Sequence, residues 1–213
     1  MKSLKLLIFD LDNTIFETKS IGEHAVAAVM EDFRSSISSL FSPEKVEAVI
    51  NDLWNYPFDH VARQYQLSEE VSKQFSASIN SYEYQLEIEA YPDFELIRGL
   101  DIWKVLVTTG FEKLQRAKIE ALQLHLVFEE IHIDQLDAPI RIHKKGIFQQ
   151  ILDSFHVKPS NIFVIGDNPE SELKAGRELG MVTVQVAKHG QPQSAFSDYY
   201  ITDFRELINF LES

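Results

Sequence analysis

Cysteine is absent from the 213-residue chain. That excludes a disulfide scaffold, thiolate zinc sites and cysteine nucleophiles, and it fits a reducing, cytoplasmic setting. Long hydrophobic runs are missing too. No stretch approaches the roughly 20 apolar residues that a membrane-spanning helix needs. The short apolar run in MKSLKLLIFDLDNT is interrupted by carboxylates before it could serve as a signal sequence. Positive charge is scarce: 20 Lys and Arg stand against 33 Asp and Glu, a formal net charge of −13. Such a balance argues against nucleic acid or an anionic membrane as a partner. An anionic substrate would have to be drawn in by a local device: a metal ion, a lysine or backbone N–H groups. What is present is ordinary for a folded α/β domain, with 45% hydrophobic and 25% charged residues.

Several short apolar runs do not alternate in polarity, so they read as strands buried on both faces. They lie at residues 4–9, 105–107, 131–133, 162–165 and 182–186, with an edge strand at 199–201. Helical patterns separate most of them, at 112–124, 144–155, 169–179 and from Asp203 onward. Asn168 and Pro169 read as an N-cap followed by a first helical residue, and Asp203-x-x-Glu206 as an approximate capping box. Strand alternating with helix predicts a doubly wound, Rossmann-like parallel sheet. From about Thr18 to Ala90 the alternation fails. Helix starts at Ser42-Pro43-Glu44 and Ser68-Glu69-Glu70 surround a break at Asn55-Tyr56-Pro57. The expected organisation is a core of residues 1–17 and 91–213 with an all-helical cap, 18–90, inserted after the first strand.

Three strand ends carry chemistry-bearing residues. Asp10-Leu11-Asp12-Asn13-Thr14 follows the first strand, where open α/β sheets bind ligands. Two carboxylates there can hold a hard cation, or one can attack an electrophile while the other moves protons. Taken alone, Asp-Asn-Thr is also a good turn sequence. Gly166-Asp167-Asn168-Pro169-Glu170-Ser171-Glu172 follows another buried strand, placing Asp167 at the sheet edge and Glu172 inside the next helix. Carboxylates converging from both ends repel one another without a cation, and magnesium suits that role. Thr108-Thr109-Gly110 offers a hydroxyl and backbone N–H groups for phosphate. Lys144 and Lys145 open the helix that precedes the fourth strand.

In order, DLDNT, TTG, the Lys144 region and GDNPESE resemble the motifs of the haloacid dehalogenase superfamily, and the resemblance spans essentially the whole chain, KAGRELGMVTVQV included. It implies a phosphatase that passes through an aspartyl-phosphate. In that scheme Asp10 is the nucleophile and Asp12 the general acid/base. Mg2+ is held by the Asp10 side chain, the Asp12 backbone carbonyl and the Asp167 side chain. Thr108 and Lys144 bind the phosphoryl group beside Thr109 and Gly110, and Thr14, Asn168 and Glu172 support them. The implied partner is a small phosphorylated metabolite, taken by a monomer or homodimer. Glu172 stands where many members have Asp, and the lysine segment lacks the common Lys-Pro. Asp12 favours phosphate esters over organohalides, since halide leaves without protonation. A phosphomutase would use the same core, and a receiver-type signalling domain a similar set of residues, though receivers lack the helical insertion. In the cap, Arg34 and Arg63 are the candidate cations, and the aromatic residues from Trp54 to Tyr84 could face a substrate or form the cap's own core.

Helical phase separates the two lysines. At ~100° per residue, Phe148, Ile151, Leu152 and Phe155 define the packed face; Lys144 falls about 30° from its centre and Lys145 about 70° away. Steady-state kinetics should show kcat falling at least about a hundredfold in Lys144→Met and less than about fivefold in Lys145→Met. The reverse order would exchange the two assignments.

Overall fold

All four residues of β1 (Leu6–Phe9) are buried, which places this strand in the interior of a sheet covered on both sides. A computed structural model, describing residues 5–212, shows that sheet; Leu4, the expected start of the strand, lies outside the described residues. The other strands are β2 (Trp103–Gly110), β3 (Glu130–Gln135), β4 (Ile162–Gly166), β5 (Val182–Val186) and β6 (Tyr199–Ile201). Their order is β3-β2-β1-β4-β5-β6, with every pairing parallel. The chain winds outward from β1 to β3 and then crosses back to β4. Strand direction of travel therefore reverses between β1 and β4, the switch point at which such sheets open a crevice.

Between β1 and β2 lie α1 (Ala27–Ile37), α2 (Pro43–Asp52), α3 (Phe58–Gln64) and α4 (Glu69–Ser81). The Ser42 hydroxyl accepts from the Lys45 amide and the Ser68 hydroxyl from the Val71 amide, so both predicted helix starts are capped. Pro57 marks the break before α3. These helices bury Val29, Phe33, Val49, Phe58, Val61 and Phe75 among themselves. Phe111, from the turn after β2, adds its ring 5.7 Å from Phe58 and 5.8 Å from Phe75. Two chain connections join this unit to the sheet, and they run side by side: the Tyr91 amide donates to the Ile15 carbonyl at 2.8 Å.

Beyond β2's neighbour α5 (Glu95–Arg98), the sheet is covered by α6 (Glu112–Ala121), α7 (His143–Phe155), α8 (Lys174–Glu178) and α9 (Phe204–Glu212). Strand alternation sorts the core. Leu7 and Phe9 pack with Ile97, Ile119 and Phe204 on one face, while Leu6 and Ile8 pack with Phe148, Ile151 and Ala175 on the other. The capping box at α9 forms, with the Glu206 carboxylate accepting from the Asp203 amide at 3.1 Å.

β2 continues through Thr108, Thr109 and Gly110, which pair with Ile133, Asp134 and Gln135, so these residues end the strand as expected. One element differs from expectation. The helix expected at 169–179 is a π-helical turn, Pro169–Leu173, followed by the short α8. Within the insertion, Phe33 is 1% exposed and touches the rings of Phe58 and Phe75. Its replacement should leave a cavity, so Phe33→Ala is expected to lower unfolding free energy by about 3–5 kcal/mol in a urea titration. A change below about 1 kcal/mol would mean that the helices are not held by this core.

Candidate active site

The crevice is built from strand ends. The Asp10 amide donates to the Ile165 carbonyl at 2.9 Å, tying the exit of β1 to the exit of β4. Asp10 is therefore carried to the sheet edge beside Gly166 and Asp167. The π-helical turn then folds Glu172 back over that edge. Its Oε1 accepts from the Asn168 amide at 2.7 Å, while Asn168 caps the turn through the Glu170 amide. Gly166 makes this possible: a Cβ there would stand 2.4 Å from the Glu172 carboxyl group. Lys144 enters from the first turn of α7, donating to Asp10 Oδ1 at 2.6 Å and to Glu172 Oε2 at 2.7 Å. All three side chains are buried. Lys145, one residue on, points to the surface and pairs with Glu178.

Carboxylate oxygens of Asp10, Asp167 and Glu172 lie within 4.8 Å of one another. Three carboxylates against the one ammonium of Lys144 leave two negative charges unbalanced. Burial pushes the Asp10 carboxyl up to about 7; Lys144 opposes the rise, and Glu172 and Asp12 add to it. Asp167 is raised well above the usual carboxylate value by burial and by Glu172 and Asp10. Burial would lower the Lys144 ammonium, but Asp10 and Glu172 outweigh it and hold the group above its usual value. A compact, all-oxygen donor set with a deficit of two positive charges fits a hard divalent cation.

Asp12 sits apart from this cluster. Its Oδ1 accepts from Lys118 at 2.7 Å and from the Thr18 hydroxyl at 3.1 Å, and its Oδ2 from Gln115 at 3.0 Å. Burial alone would raise its carboxyl, but the Lys118 charge and these three donors together hold it below the ordinary value. Gln115 also donates to the Thr108 hydroxyl at 2.6 Å. Gly110 admits that side chain, since a Cβ would stand 2.7 Å from it. Thr108 is fully buried against Gln115, whereas Thr109 and Gly110 line the crevice. Thr14 is fully buried, with no partner for its hydroxyl among the described residues.

Gln115, Lys118, Thr18 and Arg141 were not singled out from sequence. On this segment Leu124 is fully buried and Leu114, Ala117 and Ala121 are half-buried, while within α6 the fully buried residues are Gln115, Lys118 and Ile119. Polar residues at i and i+3 on a buried face were the available signal. Arg141 donates to Asp134 in the core and, at 3.0 Å, to Asp59 in α3. Of the cap cations, Arg34 pairs with Glu31 and Glu47 away from the crevice, and Arg63 pairs with Asp59 near its outer mouth.

Sequence comparison fits this geometry. The profile of the haloacid dehalogenase-like hydrolases matches residues 7–186. The chain belongs to that family. It is 27% identical to the glyceraldehyde 3-phosphate phosphatase of Pyrococcus furiosus over 229 aligned positions, covering all of this chain and 95% of the relative. Among solved structures, a haloacid dehalogenase-like hydrolase of Streptococcus pneumoniae superimposes with a TM-score of 0.71 at 18% identity, covering 99% of this chain and 100% of the other. The Bacillus subtilis hydrolase YfnB, solved with magnesium, gives 0.65 at 16% identity with full coverage of both. As a phosphatase-type member of the family, this chain places the DLDNT and GDNPESE segments on one crevice.

The raised carboxyls predict a pH-dependent response to metal. Between the usual 3.8 and about 7, folded Asp10 holds more protons than unfolded Asp10, so the metal-free protein loses stability as pH rises through that window. A divalent ion replaces those protons. Saturating Mg2+ should therefore raise the thermal midpoint, relative to chelated protein, more at pH 8 than at pH 5. Equal shifts would contradict the cluster's assignment as a metal centre.

Proposed function

We propose that this hydrolase removes phosphate from a small phosphomonoester in a magnesium-dependent reaction, using Asp10 as the nucleophile. The observation that carries this reading is the buried contact of Lys144 with Asp10 at the switch point, beside two further carboxylates. Asp10, Asp167 and Glu172 are the side chains that would hold Mg2+, with the Asp12 carbonyl as the backbone ligand that the family resemblance implies. The bound ion would supply positive charge against the phosphoryl oxygens and keep Asp10 ionised.

In the first step an Asp10 oxygen forms a bond to phosphorus as the bond to the leaving alcohol oxygen breaks, and Asp12, which must enter this step protonated against the pull of Lys118, gives that oxygen its proton. In the second, water attacks phosphorus and Asp12 takes its proton. Inorganic phosphate leaves and the Asp10 carboxylate is restored. Lys144 opposes the charge that builds on the equatorial oxygens, and Thr109 and Gly110 line the same crevice. Residues 18–90 form the cap that excludes water while the ester is bound, hinged near residues 16–18 and 90–92. The relatives lend support: the P. furiosus protein is named for a phosphorylated triose, and a Thermus thermophilus relative, 23% identical, is a phosphoserine phosphatase.

Purified protein should hydrolyse a generic aryl phosphate with Mg2+ present and lose that activity on chelation. Asp10→Asn should abolish turnover while leaving the thermal unfolding transition cooperative. Full activity after chelation, or substantial turnover by a variant free of deamidated protein, would assign the chemistry elsewhere.

A further inference from the structure

The crevice has two unlike walls. The core side carries the charged groups Asp10, Asp12, Lys118, Lys144 and Asp167, with Phe111, Leu114 and Leu136 beside them. The cap side is mainly apolar, with Ile21, Val26, Met30, Leu53, Trp54 and Tyr84, and its polar members Asn55 and Tyr56 are exposed. Among the described residues, no charged side chain from 18–90 lines this cavity. Both lysines that reach it are already engaged, Lys118 with Asp12 and Lys144 with Asp10 and Glu172. The Tyr84 hydroxyl is turned away to the Ile79 carbonyl at 3.0 Å. A second carboxylate or phosphate on the substrate would find no free cation in this cavity among the described residues, since Arg63 and Arg141 lie in the adjoining groove and are paired with Asp59 and Asp134. A polyol chain would lose its water against aliphatic and aromatic carbon, a cost that unpaired hydroxyls do not recover.

Resting on the phosphatase reading above, we propose that the leaving group is an uncharged, largely apolar alcohol. The cap cavity binds its ring or chain while Asp10 attacks the phosphorus. The cavity is about 190 Å³, including the space beside Asp10 and Lys144 that the phosphoryl group would take, so the leaving group it accepts is small. Met30 and Leu53, both half-buried, belong to α1 and to the turn after α2, so the cap helices set this preference and the strand ends set the chemistry.

The test compares esters of primary alcohols with Mg2+ present. Benzyl phosphate and n-hexyl phosphate should exceed glycerol 1-phosphate and phosphoglycolate by at least about tenfold in kcat/KM. Benzylphosphonate should inhibit at least about tenfold more tightly than phosphonoacetate. In Met30→Lys, which places a cation on the apolar wall, the ratio of kcat/KM for phosphoglycolate to that for benzyl phosphate should rise at least about tenfold. Misfolding would lower both rates without moving their ratio in that direction. Turnover that favours glycerol 1-phosphate or phosphoglycolate, or a ratio unmoved in Met30→Lys, overturns this inference and leaves the phosphatase standing. Failure to hydrolyse any ester of the panel removes the phosphatase reading and this inference with it.

Discussion

The ammonium of Lys144, shared between Asp10 and Glu172 inside the protein, is the contact on which the rest of the site depends. Removing Lys144 would strand both carboxylates as uncompensated buried charge, a loss of several kcal/mol in comparable pairs. Four separate pieces of chain must therefore meet: the exit of β1, the exit of β4, the π-helical turn and the first turn of α7. The fold exists around that meeting. β1 lies between β2 and β4 in the sheet, Gly166 leaves the space that Glu172 occupies, and Phe148 and Ile151 hold α7 against the sheet so that Lys144 reaches inward.

Much of this was legible in the sequence because the signals were local. Non-alternating apolar runs gave the central strands, and Ser42, Ser68 and Asn168 gave helix starts whose caps all form. The DLDNT and GDNPESE segments placed carboxylates at strand ends, and the phase of α7 put Lys144 nearer the sheet than Lys145. What escaped notice depends on long-range geometry. Gln115 and Lys118 of α6 went unnoticed because they occupy a buried face that apolar residues normally fill. Arg141 escaped because nothing local connects it to Asp59, 82 positions away.

Arg141 also shows how cap and core communicate. It lies three residues before Lys144 and holds both Asp134 of β3 and Asp59 of α3. The same connecting segment meets α4 where Asn80 donates to Asp137 at 2.5 Å. One short stretch of chain thus holds both the helical insertion and Lys144. Phe111 works from the other side, anchoring the turn after β2 in the cap's own core. The substrate would meet a pocket with chemistry on one wall and selection on the other, each built from a different part of the sequence.

The most direct test of the account is chemical trapping of the covalent intermediate. Enzyme turning over an aryl phosphate is quenched in acid, reduced with borohydride and mapped by peptide mass spectrometry, since reduction converts an aspartyl-phosphate to homoserine. The account predicts homoserine at position 10 and nowhere else. Homoserine at Asp12 or Asp167, or steady turnover with Asp10 unmodified, would contradict it.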